Sequence, residues 1–92
     1  MTKIILKGYI EIPNEDLAMV EQELPNHIEL TRAEPGCLIF NVEKNSHINN
    51  RFDVYEEFDS QESFEAHQRR VASSNWGQIT ARASRNYAIE HK

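Results

Sequence analysis

The sequence holds one cysteine, three glycines and three prolines in 92 residues. With Cys37 alone, no internal disulfide and no paired-cysteine metal site can form, and this cysteine usage points to a cytoplasmic protein. Gly8, Gly36 and Gly77 are too scattered to build a glycine-rich phosphate loop. Basic residues are in the minority, 10 against 15 acidic, for a net charge of -5. The longest basic run is Arg69-Arg70, too short to track a phosphate backbone, so no nucleic-acid partner is expected. No apolar stretch approaches the roughly 18–20 residues that span a bilayer, so no membrane partner is expected either. Lys7 and Gly8 break the apolar run of Ile4-Ile5-Leu6, which argues against a signal peptide. The four histidines, at 27, 47, 67 and 91, lack metal-ligand spacing. Neither a metal nor a nucleotide cofactor is expected.

What is present is an ordinary globular composition, 39% apolar and 27% charged, which reads as one domain over residues 1–92. Residues 3–12 alternate, with Ile4, Leu6, Gly8, Ile10 and Ile12 on one face, as a strand requires. Pro13 ends it, and Asn14 is placed to cap a helix. Leu17, Val20, Leu24, Ile28 and Thr31 recur at helical spacing, predicting an amphipathic helix over 15–33 with a kink or short break at Pro25. Residues 37–44 and 51–58 read as a hairpin of strands. The first turns Leu38, Phe40 and Val42 to one face; the second does so with Phe52, Val54, Glu56 and Phe58. Ser60 caps a second helix, residues 76–83 form a short helical piece, and residues 85–90 close the chain as a fourth strand.

The order βαββαβ predicts a ferredoxin-like α+β fold, an antiparallel sheet with helices on one face. The other face carries Ile5, Tyr9, Cys37, Ile39 and Tyr55 among charges. That is apolar enough to predict burial against a second copy, giving a homodimer.

Three polar residues fall on stripes that should be apolar: His27 on the first helix, His67 on the second and Glu56 on the third strand. All three point into the space between sheet and helices. A buried carboxylate needs a partner, and His67 is the natural one for Glu56. Such a pair is either a proton acceptor whose tautomer the carboxylate holds, or a structural clamp joining strand to helix. His27 is a packing residue or a pocket wall. Arg70, one turn from His67, either steers an anionic or phenolic substrate or lies in solvent. Phe40 and Phe64 are candidate substrate-binding residues, and Trp76 is a pocket wall or a core aromatic. Cys37, after a turn glycine, reads as a small core residue rather than a nucleophile.

The stretch Thr31-Arg32-Ala33-Glu34-Pro35-Gly36-Cys37-Leu38-Ile39-Phe40 resembles the helix-to-strand junction of the antibiotic biosynthesis monooxygenase family. Phe52-Asp53-Val54-Tyr55-Glu56-Glu57-Phe58-Asp59-Ser60, followed by Ser63-Phe64-Glu65-Ala66-His67, resembles that family's third strand and second helix. The resemblance implies a dimeric α+β barrel with a pocket in each subunit. It also implies a small quinol or hydroquinone monooxygenase that uses O2 without flavin, metal or haem. Glu56 and His67 match the family's strand glutamate and helix histidine, while Phe58 stands where Trp is frequent. The haem-degrading branch is set aside. That branch has Asn where Gly8 stands, Trp where His67 stands and a haem-ligating His about where Gly77 stands. The expected roles are His67 as base, Glu56 as its orienter, and Arg70 or His27 near the substrate anion. The alternatives on the same fold are a small-metabolite isomerase or tautomerase and a non-catalytic ligand-binding module.

Overall fold

In the computed structural model, which describes residues 2–92, the alternating segments become four strands: β1 (Ile4–Glu11), β2 (Cys37–Lys44), β3 (Arg51–Phe58) and β4 (Ser84–His91). All pair antiparallel in the order β2-β3-β1-β4. Three helices, α1 (Leu17–Arg32), α2 (Gln61–Ala72) and α3 (Asn75–Ile79), connect them and lie on one face, where Tyr87 and Ile89 of β4 stay exposed. The predicted βαββαβ arrangement is therefore the observed one. The core lies between sheet and helices, where Ile4, Leu6, Ile10, Phe40, Val42, Phe52, Val54 and Phe58 meet Val20, Phe64 and Trp76. None of the described helices is long and apolar enough to cross a membrane.

Local chemistry explains the element ends. The Ser60 hydroxyl accepts from the Ser63 backbone N–H at 3.1 Å, the cap expected at the start of α2. Asn14 does not cap α1. It opens a single 3-10 turn, Asn14–Asp16, and α1 begins after it at Leu17. Asp16 is held there by Arg82, which donates to its carboxylate at 2.6 Å. Nor does Pro25 break α1, which runs on through it as one helix. Pro25 is exposed, while Val20 before it and His27 and Thr31 after it are buried. Packing on both sides outweighs the one donor that the ring removes.

The register of β2 also departs from simple alternation. Cys37 pairs with Phe58 and Ile39 with Glu57, so Leu38 stands unpaired in a bulge and is 53% exposed. Cys37, expected on the outer face, instead packs against the core, and Leu38, expected inside, faces out. At the free edge of β2 the Arg32 guanidinium donates twice to the Phe40 carbonyl, at 2.8 and 3.1 Å, and to Asn41 Oδ1 at 3.2 Å.

The outer face interleaves its apolar residues with ion pairs. Lys3 meets Glu57 at 3.1 Å, Lys7 meets Glu90 at 3.0 Å, and Arg51 meets Glu11 at 2.6 Å while its guanidinium lies 3.7 Å over the Tyr9 ring. These cross-strand pairs give the charged residues of this face partners within the sheet itself.

Candidate active site

His67 reaches inward from the middle of α2 and is 4% exposed. Rings surround it: Phe58 at 4.9 Å between centroids, Phe40 at 5.9 Å edge-on and His27 at 6.5 Å. His27 lies flat on Trp76, 4.4 Å apart with 6° between planes, and meets Phe40 edge-on at 5.4 Å. Phe64 sits one step further out, against Phe58 at 5.7 Å. The structure thus gathers His27, Phe40, Glu56, Phe58, His67 and Trp76 into one aromatic shell under the helices, with Phe64 behind it.

The expected Glu56–His67 hydrogen bond is not made. His67 Nε2 stands 3.9 Å from Glu56 Oε1, beyond hydrogen-bond range, and that oxygen is buried with no partner. Burial, reinforced by the Glu34 charge, pushes the Glu56 carboxyl up to about 8. Glu56 therefore meets the cost of burial by keeping its proton at neutral pH rather than by pairing with a cation. The carboxylate that does bind His67 is Glu34, in the turn after α1, whose oxygens lie 3.0 and 3.3 Å from Nδ1. Burial lowers the His67 imidazole below its usual range, against the opposing pull of Glu34. His27 is driven further down, to about 3, by burial and by the His67 and Arg70 charges.

Arg70 is partly exposed, at 31%, and is tied down rather than turned into the shell. Its Nε donates to Glu34 and its second terminal nitrogen donates to Thr31 Oγ1 at 2.9 Å, on the outer side of His67. Gly36, at φ +89°, makes this arrangement possible. A Cβ there would collide with Ser63 and Asp59 at the start of α2. The turn Glu34-Pro35-Gly36 can lie against α2 only because residue 36 lacks a side chain.

One residue comes to the site without having been predicted, Glu34. Its signal is an acid immediately before Pro-Gly at a chain reversal. Tyr87, opposite Gly8 on β4, is 37% exposed and lies outside the aromatic shell. Gly8 itself, at φ +153°, is required by the close approach of the Asn86 carbonyl, onto which a Cβ would fall. Cys37 is near the same carboxylates; burial and the Glu34 and Glu56 charges raise its thiol, the opposite of what a nucleophile needs.

Three cavities near this shell have linings that do not include His27, Glu56, Phe64 or Trp76. One of about 210 Å³ reaches His67 and Arg70 from the Glu34 side. One of about 390 Å³ runs along the β2 edge past Cys37 and Phe40. The largest, about 760 Å³, lies under α1 between Leu24, Pro25, Ile28 and Phe52 and holds none of the predicted site residues. Among the described residues, no cluster of three or more His, Cys, Asp or Glu is arranged to hold a metal.

Comparison with solved structures finds this fold in several bacterial proteins. A candidate antibiotic biosynthesis monooxygenase from Nitrosomonas europaea superposes with a TM-score of 0.77 at 15% identity, over 99% of this chain and 88% of that one. A conserved protein of unknown function from Bacteroides thetaiotaomicron, described as a possible oxidoreductase, gives 0.76 at 14% identity over 99% and 98%. A further candidate antibiotic biosynthesis monooxygenase, from Deinococcus radiodurans, gives 0.68 at 20% identity over 100% and 90%. At these identities the likeness is one of fold. No curated protein matches the chain. Residues 3–78, however, match the antibiotic biosynthesis monooxygenase family by sequence. The chain belongs to the antibiotic biosynthesis monooxygenase family.

Proposed function

We propose that this protein oxidises a small electron-rich aromatic, a phenol or hydroquinone, with O2 and without a resident cofactor. The observation that carries this reading is the pair His67 and Glu56. A neutral imidazole and a neutral carboxyl face each other 3.9 Å apart inside an aromatic shell. A phenolic oxygen at ~2.8 Å from both Nε2 and Oε1 fits that separation. His67 Nε2 would accept the phenolic proton, and the Glu56 carboxyl would donate to the resulting phenolate. The phenolate gives one electron to O2, and the two radicals recombine to form a ring C–O bond. In sum, one ring C–H and the phenol C–O–H become two carbonyls. The ring gives up four electrons, one oxygen atom enters it, and the other leaves as water with both hydrogens. The protein's share is positioning and a dry setting. Access from the three cavities described above requires a neighbouring ring such as Phe40 to yield, since none of those three opens between the two reacting groups.

The test is O2 uptake with a panel of phenols and hydroquinones. Uptake at one O2 per aromatic oxidised supports the reading, and no uptake with any member ends it. The same two groups also suit a second reaction, a proton shift on a carbonyl metabolite, with Glu56 as acid and His67 as base. Deuterium exchange from solvent into a carbonyl substrate without O2 would favour that reading. The proposal includes a twofold dimer through the outer face around Ile5, Ile39 and Tyr55, which sedimentation would test.

A further inference from the structure

Glu34 is the one carboxylate bonded to His67, and its own contacts explain why. It lies in the turn between α1 and β2, not on an element of the sheet, yet three separate parts of the chain hold it. Arg70 on α2 donates to it, the same guanidinium is tied to Thr31 at the end of α1, and Gly36 lets the turn sit against the start of α2. Thr31 is fully buried, so the guanidinium is anchored at a fixed point of the core. A carboxylate can only accept, so Nδ1 is the nitrogen of His67 that carries a proton when the ring is neutral. Nε2 is then the bare nitrogen, and it points at Glu56. The groups that face the imidazole are therefore Glu34 on one side, Glu56 on the other, with His27 and the Arg70 charge beside them.

We propose that Glu34, fixed by Arg70 and Thr31, is the positioning residue of this site: it holds His67 as the Nδ1–H tautomer and so presents Nε2 to Glu56 as the free base. The inference deepens the proposed reaction and rests on it for its catalytic meaning. Glu56, the partner expected from sequence, has no part in choosing the tautomer. Without Glu34 the imidazole is free to move its proton to Nε2, the form that isolated histidine side chains favour in water, and the base is lost. Arg70 in turn keeps Glu34 from rotating away, which gives that arginine a function without contact with substrate.

The tautomer is read directly from long-range ¹⁵N–¹H spectra of the histidine rings in the intact protein, with no substrate present. Wild type should show His67 protonated at Nδ1 and bare at Nε2. Glu34→Ala should move the proton to Nε2, wholly or in part. Glu34→Gln keeps an acceptor oxygen and should restore the wild-type pattern. In O2-uptake assays Glu34→Ala should lower kcat by ~10–100-fold with KM little changed, as loss of an orienting partner does. A wild-type ring protonated at Nε2 overturns the proposal at once, whether or not any variant folds. So does a Glu34→Ala spectrum identical to wild type, or an altered tautomer with undiminished kcat. If no phenol is turned over, the proposed reaction falls, while the spectra still decide what Glu34 does.

Discussion

Glu56 and Glu57 are neighbours on β3, and the strand turns them to opposite faces of the sheet. Glu57 lies outside, where the Tyr55 hydroxyl and then Lys3 hold its carboxyl below the usual range. Glu56 lies inside with an unpartnered oxygen, and burial pushes it up to about 8. One peptide bond separates a carboxylate held below its usual range from a carboxyl pushed up to about 8. The side chain is the same; the alternation of a strand decides which chemistry it has. The outer face satisfies its charges in pairs. The inner face leaves a proton donor and a proton acceptor unsatisfied beside each other, as a reactive site requires and a structural one avoids.

The contrast breaks most visibly at His67. If the inner face is reactive, His67→Ala lowers O2 uptake with the best phenol by ~10²–10⁴-fold while circular dichroism stays native. If it is only a clamp, turnover per folded molecule holds and the melting temperature falls instead. Glu56→Gln sharpens the contrast through pH. A carboxyl whose folded value lies near 8, above the unfolded value of 4.5, binds more protons folded than unfolded, so it costs stability as pH rises between those values. The Gln variant, which cannot ionise, should gain on wild type across that window by a few kcal/mol at its alkaline end. Urea midpoints for both proteins at pH 5 and pH 8 measure this, and a difference that is constant with pH refutes the assignment. His27 works in the opposite direction: its folded value of about 3 lies below the unfolded one, so it costs stability only as pH falls below about 6.5.

Gly36→Ala comes next in size. It asks an alanine to adopt φ +89° against Ser63 and Asp59, which should cost ~1–3 kcal/mol and loosen Glu34 from His67. Chemical denaturation gives the first effect and the ring spectrum of His67 the second. The smallest effect belongs to the outer face. Glu57→Gln removes the charge of a half-buried carboxylate whose partner Lys3 is itself 44% exposed, and the unfolding midpoint should fall by less than for Gly36→Ala. A large loss there would mean that the two faces are less different than their environments make them.

Much of this is legible in the order of residues alone. Period-2 and helical spacing located all four strands and both long helices, because each element has one buried face and the pattern of burial is written in residue type. The same logic put His27, Glu56 and His67 inside. What escaped was whatever depends on a break in period or on a contact across the chain. The bulge at Leu38 shifts the start of β2 by one residue and exchanges Cys37 with Leu38, and no local signal marks it. Glu34 is 33 residues from His67 and belongs to a turn, where no periodicity tells which way a side chain points. Pro25 carries a helix-breaking preference in the sequence, and the packing of His27 and Thr31 that overrides it exists only in the folded chain.

The Arg32 guanidinium on the Phe40 carbonyl has a bearing on how the molecule behaves in company. A free strand edge is a template, and a newcomer adds to it by meeting a regular row of donors and acceptors. At β2 one acceptor is already occupied by an arginine, and the Leu38 bulge interrupts the row a step away. The sheet is thereby given a direction of growth: the β2 side is closed to recruits, and misassembly at high concentration or on heating would start from β4. Freeing that carbonyl with Arg32→Ala should shorten the lag before light scattering rises in a warmed solution, while leaving the fold of the monomer intact.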